Sequence, residues 1–496
     1  MVICSHHILH RSLGRSFVHR IPTEVLTEIF LFVRDGSAVS STSTVSGHGP
    51  VYTGNFALLR MTAVCSRWRM AGADFSALWN NIAFCTLKTT SIQCAELFLG
   101  RTKNRALDVY ISAPALLDAP ATSALMHELF FRVSSESHRI RVFDFITTPR
   151  TGILYTYWMN PTIPPHQIPG IGYTNPLNRG AFPVVESMRM SPPSWFPSVT
   201  PRLKTLDLRN NDDSASLRTL LDALGGCPTL ESLTLQGYRH FVDEDSSNTP
   251  VTTLPKLHRL RVLSCDSAPI IPLLRLPSLS HPLIIFDADP RENLLRSLPQ
   301  KQPGAPYLEG ISKLRVVLNM ENSQYSVAAY REDGRMNFYL GVSTVSHLSR
   351  WGWIRESMEA VASFGPFSEV ASLSITADVI FASWSTQWLS RMRHLSRLDL
   401  HCPDATGYLD ILSTSVGRSP LCPSLHTLAL RGFQRSQRLD YGLLKACILF
   451  RRAEGCPLTF VLVPMGEWAG VRARDPSWDV IVEAQGEPLI ICAQTL

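Results

Sequence analysis

Three leucine-centred phrases carry the clearest pattern in the chain. Leu203, Leu206 and Leu208, then Leu230, Leu233 and Leu235, then Leu257, Leu260 and Val262 follow Pro201, Pro228 and Pro255, which stand 27 residues apart. In each phrase the last two apolar residues alternate with polar ones, the period-2 signature of a strand buried on one face. The phrase returns at Leu395/Leu398/Leu400 and Leu425/Leu428/Leu430, and Cys227–Tyr238 and Cys422–Phe433 are near copies. Weaker versions stand at Ile140/Phe143/Phe145, Val185/Met188/Met190, Leu279/Ile284, Ile311/Leu314/Val316, Val370/Leu373/Ile375 and Leu458/Val461/Val463. Asp213–Leu224 and Asp404–Val416 read as helices returning between strands.

The chain begins differently. In Ile21–Val33 the residues Val25, Leu26, Ile29, Phe30 and Val33 recur at helical spacing, with Pro22 and Glu24 suited to a first helical turn. A polar stretch rich in serine, threonine and glycine follows over residues 34–55 and lacks the apolar residues for a core. Helical spacing resumes at Phe56–Ala73, and Phe75, Leu78 and Trp79 form a short third element.

These N-terminal residues resemble the F-box motif. Ile21-Pro22, Glu24-Val25-Leu26, Ile29-Phe30, Val64-Cys65-Ser66-Arg67-Trp68-Arg69 and Leu78-Trp79 match it in order and in much of their local spacing. Ile21 replaces the motif's leading leucine, and the break between the first two helices is longer than in the compact form. Added loop length costs little, because closure entropy grows only logarithmically. The resemblance implies docking to a Skp-type adaptor, and through it to a cullin, with Ile21, Pro22, Ile29, Val64, Cys65, Trp68 and Leu78 as contacts. Trp68 would serve core and contact together.

The leucine phrases resemble leucine-rich repeats, whose period is ~20–29 residues. That resemblance implies an irregular solenoid of parallel strands, with Asn211, Cys265 and Asn319 at polar ladder positions. It also implies a target-binding face built from the residues between the inward leucines, with Arg209, Gln236, Arg261, Arg397 and Arg431 as candidates. Bases and acids are mixed along those positions, which favours a protein partner over a polyanion.

Two stretches interrupt the repeats. Residues 149–201 are studded with proline, glycine and aromatics, incompatible with one continuous strand or helix. Residues 325–340 read as a β-hairpin turning at Asp333-Gly334, and a helix is expected at Trp353–Phe364. The expected class is α/β: a flexible lead-in (1–20), a small helical F-box-like unit (21–84), and an irregular parallel α/β solenoid (85–496). The lead-in is basic and free of acids, which also fits an organelle transit peptide.

Composition narrows the function. Of 496 residues, 45% are apolar and 18% charged, and the formal net charge is +6, so neither wholesale disorder nor a concentrated basic face is indicated. No apolar run approaches the ~20 residues needed to span a bilayer. Eleven scattered cysteines without a CxxC pair suit a reducing cytosol or nucleus. HExxH, GxSxG, GxxxxGKS/T and EF-hand phrases are absent. Gly47-His48-Gly49 and Gly170-Ile171-Gly172 lack the context of a dinucleotide site, His6 and His7 lie in the lead-in, and Asp287, Asp289 and Glu292 read as a solvated loop. The expectation is a non-catalytic substrate adaptor of a cullin-type ubiquitin ligase, without catalytic, cofactor or metal residues and without nucleic-acid or membrane partners. The alternatives are a non-ligase interaction scaffold and an unfamiliar enzyme using the 149–201 stretch as a lid.

Overall fold

The computed structural model describes residues 20–36, 54–84, 89–113, 125, 128–129, 131–133, 135–147, 182–190, 200–209, 217–237, 251–263, 270, 273–286, 310–319, 324–342, 369–377, 386, 389–416, 419–431, 439–475, 477–478 and 490–494. The lead-in before Arg20 lies outside them. So do most of the 34–55 and 149–201 stretches, Asn211, Cys265, the Asp287/Asp289/Glu292 cluster and the helix read at Trp353–Phe364. The chain is α/β with mostly parallel strands, and it divides into two compact units. One is Met1–Ala215 with Thr219–Leu230; the other is Ser216–Arg218 with Glu231–Leu496.

The first unit opens with three helices: α1 (Thr23–Gly36), α2 (Gly54–Thr62) and α3 (Ser66–Asp74). Glu24 in the first turn of α1 and Arg34 in its last match the helix macrodipole. Leu26 and Phe30 of α1, Leu58 of α2, and Leu78 and Trp79 beyond α3 are fully buried. The α1 face is narrower than its spacing predicts, because Val25 points to solvent while Leu26 and Phe30 meet the other helices. The single helix expected over Phe56–Ala73 is two. Cys65 is extended (φ −157°, ψ 169°), which breaks the backbone ladder and lets α3 fold back on α2. Gly72 sits at that crossing. A Cβ there would meet Thr62 Cγ2 at 2.6 Å, so only glycine allows the approach.

Five parallel strands follow, in the order β1 (Asn81–Phe84), β2 (Leu107–Ala113), β3 (Ile140–Thr147), β4 (Ser187–Met190) and β5 (Thr205–Arg209). Helices α4 (Thr89–Thr102) and α5 (Leu217–Gly225) flank them in sequence. Residues 81–84, read with the helical unit, form the first of these strands. The described part of the 149–201 stretch is also more regular than its prolines suggest, since Met188 and Met190 are inward residues of β4.

In the second unit the strands are β6 (Ser232–Gln236), β7 (Arg259–Leu263), β8 (His281–Phe286), β9 (Lys313–Asn319), β10 (Gln324–Tyr330), β11 (Met336–Val342), β12 (Ser372–Ala377), β13 (Arg397–His401), β14 (Thr427–Arg431), β15 (Phe460–Pro464) and β16 (Ile490–Gln494). Their spatial order is β6-β7-β8-β11-β10-β9-β12-β13-β14-β15-β16. All neighbours are parallel except β10, which is antiparallel to both β9 and β11. The β10–β11 hairpin turns at Asp333-Gly334. Gly334 has φ 82°, and the Asp333 carboxylate accepts from Arg335 N at 2.9 Å.

One local device recurs in both units. Before six of the strands a buried residue, a turn and a leucine follow in order, and the leucine N–H donates to the carbonyl three residues back. Leu203 donates to Thr200, Leu230 to Cys227, Leu257 to Leu254, Leu279 to Leu276, Leu395 to Met392 and Leu425 to Cys422. Pro201, Pro228, Pro255, Pro277 and Pro423 take the second turn position, where a fixed φ near −65° is wanted and an N–H is not. The carbonyl after the leucine, or after Val370 in its place, then accepts two successive N–H groups of the next strand segment. Glu231 O takes His258 and Arg259, Ala371 O takes Ser396 and Arg397, and Ser396 O takes His426 and Thr427, at 2.8–3.1 Å.

The turn before β14 has a further support. Arg451, on α6 (Tyr441–Ala453), is fully buried and donates to Leu421 O, Cys422 O and Leu425 O at 2.9, 2.9 and 3.2 Å. Burial pushes the Cys402 and Cys422 thiols up to about 12, so both act as small apolar fillers.

Candidate functional site

Two surfaces hold the residues singled out by sequence. The first belongs to the helical segment of the first unit. Val25, Ile29 and Phe32 share one side of α1 at i, i+4 and i+7 spacing, with Pro22 just before it, and this stripe runs beside the buried Leu26 and Phe30 with Ile29 half-buried at the boundary. Val25 is 47% exposed and Phe32 79%, while Val64 and Met70, beside and on α3, are 59% and 61% exposed. Ile21 and Cys65 are half-buried and lie near one another, because the Arg67 guanidinium donates to Ile21 O at the start of α3.

Trp68 is half-buried and packs edge-on against Phe30, with ring centroids 5.4 Å apart. Its indole N–H is buried without a hydrogen-bond partner. Leu78 departs from expectation. It is fully buried beside Trp79, whose indole donates to Gly72 O at 2.6 Å, so it supports the surface from within and cannot touch a partner. Phe32 and Met70 were not among the residues read as contacts. Neither belongs to the motif, and only the register of α1 and α3 turns them outward.

The second surface is the outward side of the strands, which differs between the units. In the first unit Tyr110, Asp144, Arg189 and Asp207 form one row across β2 to β5. Arg189 bridges Asp144 at 3.1 Å and Asp207 at 2.8 Å, and Arg209 reaches Asp207 at 3.3 Å. Arg141 is paired with Asp108 at 2.6 Å. This row neutralises itself, and Arg209, a target-binding candidate, is held within it.

Burial pushes the Asp144 carboxyl up to about 6; Arg189 pulls it down and Asp207 adds to the rise. The folded carboxyl therefore keeps a proton that the unfolded one releases near its usual ~3.9. Stability falls as pH rises through that window, by roughly 2–3 kcal/mol from this group, and is flat above it. Asp144→Asn is expected to remove the falling limb between about pH 4 and 6 in urea melts at stepped pH. An unchanged slope in the variant would contradict the assignment.

In the second unit the charged outward residues are mostly bases. Arg261 is exposed on β7 and faces Thr234 of β6, two positions before the half-buried Gln236. Arg397 is chelated by Asp399, with Nε–Oδ1 at 3.0 Å and Nη2–Oδ2 at 3.1 Å. Arg431 lies beside His401 in register, and its Nε is buried without a hydrogen-bond partner. Burial lowers the His401 imidazole, Arg431 and Arg315 lower it further, and Asp399 opposes them. Lys313 and Arg315 were missed by sequence reading. They lie between the apolar positions of the weak Ile311/Leu314/Val316 phrase, and the signal was the alternation itself.

Among the described residues no group of three or more His, Cys, Asp or Glu is placed to hold a metal ion, and no helix is long and apolar enough to cross a membrane. No protein-family model matches this chain, and no curated protein matches it in sequence.

Proposed function

We propose that this chain is a non-catalytic substrate adaptor of a cullin-type ubiquitin ligase, its N-terminal helices docking a Skp-type adaptor and its strand face holding a target protein. The observation that carries the reading is the solvent-facing apolar set Val25, Phe32, Val64 and Met70 on helices whose own core is already filled by Leu26, Phe30, Leu58 and Trp79. Four large apolar residues exposed on so short a helical segment suit a surface that another protein covers. The motif resemblance at Ile21-Pro22 and Val64–Arg69 says which kind of protein, and the leucine phrases fit an irregular leucine-rich-repeat receptor. The mechanism is proximity. Holding adaptor and target on one chain raises the effective concentration of target lysines near the conjugating enzyme.

Affinity purification of the tagged full chain from cells treated with a proteasome inhibitor is expected to recover adaptor, cullin and a ubiquitinated target. Recovery of stable partners without adaptor or cullin would point instead to a scaffold outside any ligase.

A further inference from the structure

Strands β9, β12, β13 and β14 of the second unit bring together a set of groups that the repeat pattern alone does not announce. Their register aligns Lys313, Ser372, Arg397 and Thr427 in one row. The next outward row is Arg315, Ser374, Asp399 and Ala429, and the next is Val317, Thr376, His401 and Arg431. Leu314, Val316, Leu373, Ile375, Leu398 and Leu400 between them are buried, so the named rows share the opposite side of the strands, which is exposed at Lys313 and Arg315 and covered at Thr427 and Ala429.

The middle strand β12 thus offers only short hydroxyl side chains: Ser372, Ser374 and Thr376. Long cations stand on both sides of it, Lys313 and Arg315 on β9, with Arg431 two strands away in the other direction. Parallel neighbours lie ~4.8 Å apart, which places the flanking guanidinium groups within reach of one group seated over Ser374 and Thr376. Asp399 is the acid in these rows, and it is already chelated to Arg397. Lys313, Arg315 and Arg431 have no carboxylate partner among the described residues. His401, between them, feels both Arg315 and Arg431. The first unit's outward row is closed by its own ion pairs; this one is open.

We infer that this hydroxyl-floored cradle binds a carboxylate-rich segment, a run of Asp and Glu residues, of a partner protein. The inference rests on the proposed target-receptor reading and states the chemistry of the target. A protein segment fits better than nucleic acid, because half-buried Val317 and Leu462 and exposed Phe460 lie among the bases and offer apolar contact to the side chains that flank an acidic run.

The test uses the full chain and a fluorescein-labelled oligoglutamate peptide, read by anisotropy at low salt. Binding is expected to the wild type, to weaken with added salt, and to fall roughly ten-fold or more in Arg315→Ala/Arg431→Ala. Ser374→Asp, which sets a carboxylate on the floor, is expected to lose binding as well. Arg209→Ala, whose guanidinium is tied to Asp207, should bind as the wild type does. Equal affinity in the double variant and the wild type would overturn the cradle, as would tighter binding of labelled single-stranded RNA than of oligoglutamate. Adaptor capture by the same samples separates the two readings. Oligoglutamate binding without adaptor capture would leave the cradle standing and sink the ligase role.

Discussion

Leu233→Ala is expected to lower the unfolding free energy by ~2–5 kcal/mol, the range for removing a fully buried leucine where the surroundings close only partly over the gap. Leu233 is fully buried on β6 and stands beside Leu260 of β7 in register. Leu230, Leu235, Leu257 and Val262 are buried with it, so the lost methyl groups leave a gap lined by strand residues that the backbone ladder holds in place. Glu231→Ala, one position outside β6, is the control because its side chain is half-buried and carries no packing role of that size. Urea denaturation of the two variants checks this. A loss for Leu233→Ala no larger than for Glu231→Ala would contradict the assigned strand register.

Replacing Ile21 and Pro22 together by alanine is expected to abolish adaptor co-purification while leaving the strands folded. Pro22 O accepts from Leu26 N at 3.0 Å, and Ile21 O accepts from Arg67 across to α3, so the pair fixes where α1 begins relative to α3. Alanine keeps those carbonyls but removes the exposed proline ring and the isoleucine side chain from the surface. Contacts of that kind dominate protein interfaces, where a few large residues supply most of the affinity. Far-ultraviolet circular dichroism and the melting midpoint of the variant should match the wild type. Undiminished adaptor recovery would place the docking surface elsewhere on the helices.

What the sequence revealed and what it concealed have a common physical cause. The leucine phrases were legible because a strand buried on one face writes its core into every second residue. Leu203/Leu206/Leu208 and Leu395/Leu398/Leu400 are indeed all buried. The prolines at 201, 228 and 255 were visible as punctuation, and the structure shows them at the second position of the turn that feeds each strand. Asp333-Gly334 was legible for the same local reason, since a positive φ and an Asx hydrogen bond need those residue types.

Pairing between distant segments was not legible. Arg189 meets Asp144 across 45 positions, and no local pattern announces that bond. The order β8-β11-β10-β9-β12 is likewise invisible, because each strand reads alike whichever neighbour it takes. The break at Cys65 escaped notice because apolar spacing continues across it, and one extended residue leaves no compositional mark. Arg451, fully buried against three carbonyls, looks like any basic residue near a helix C-terminus. The motif resemblance implies Leu78 as a contact, yet burial makes it part of the support. The cradle at Ser374, Arg315 and Arg431 depends on strands β9, β12, β13 and β14 lying side by side, which only the fold supplies.

The most direct test of the central claim is a calorimetric titration of the purified full chain with a purified Skp-type adaptor. Saturable one-to-one binding that Ile21→Ala/Pro22→Ala and Phe32→Asp each weaken, with Arg315→Ala/Arg431→Ala binding as the wild type does, is the predicted result. Absence of heat and of a co-eluting complex with a well-folded wild-type chain would contradict the account.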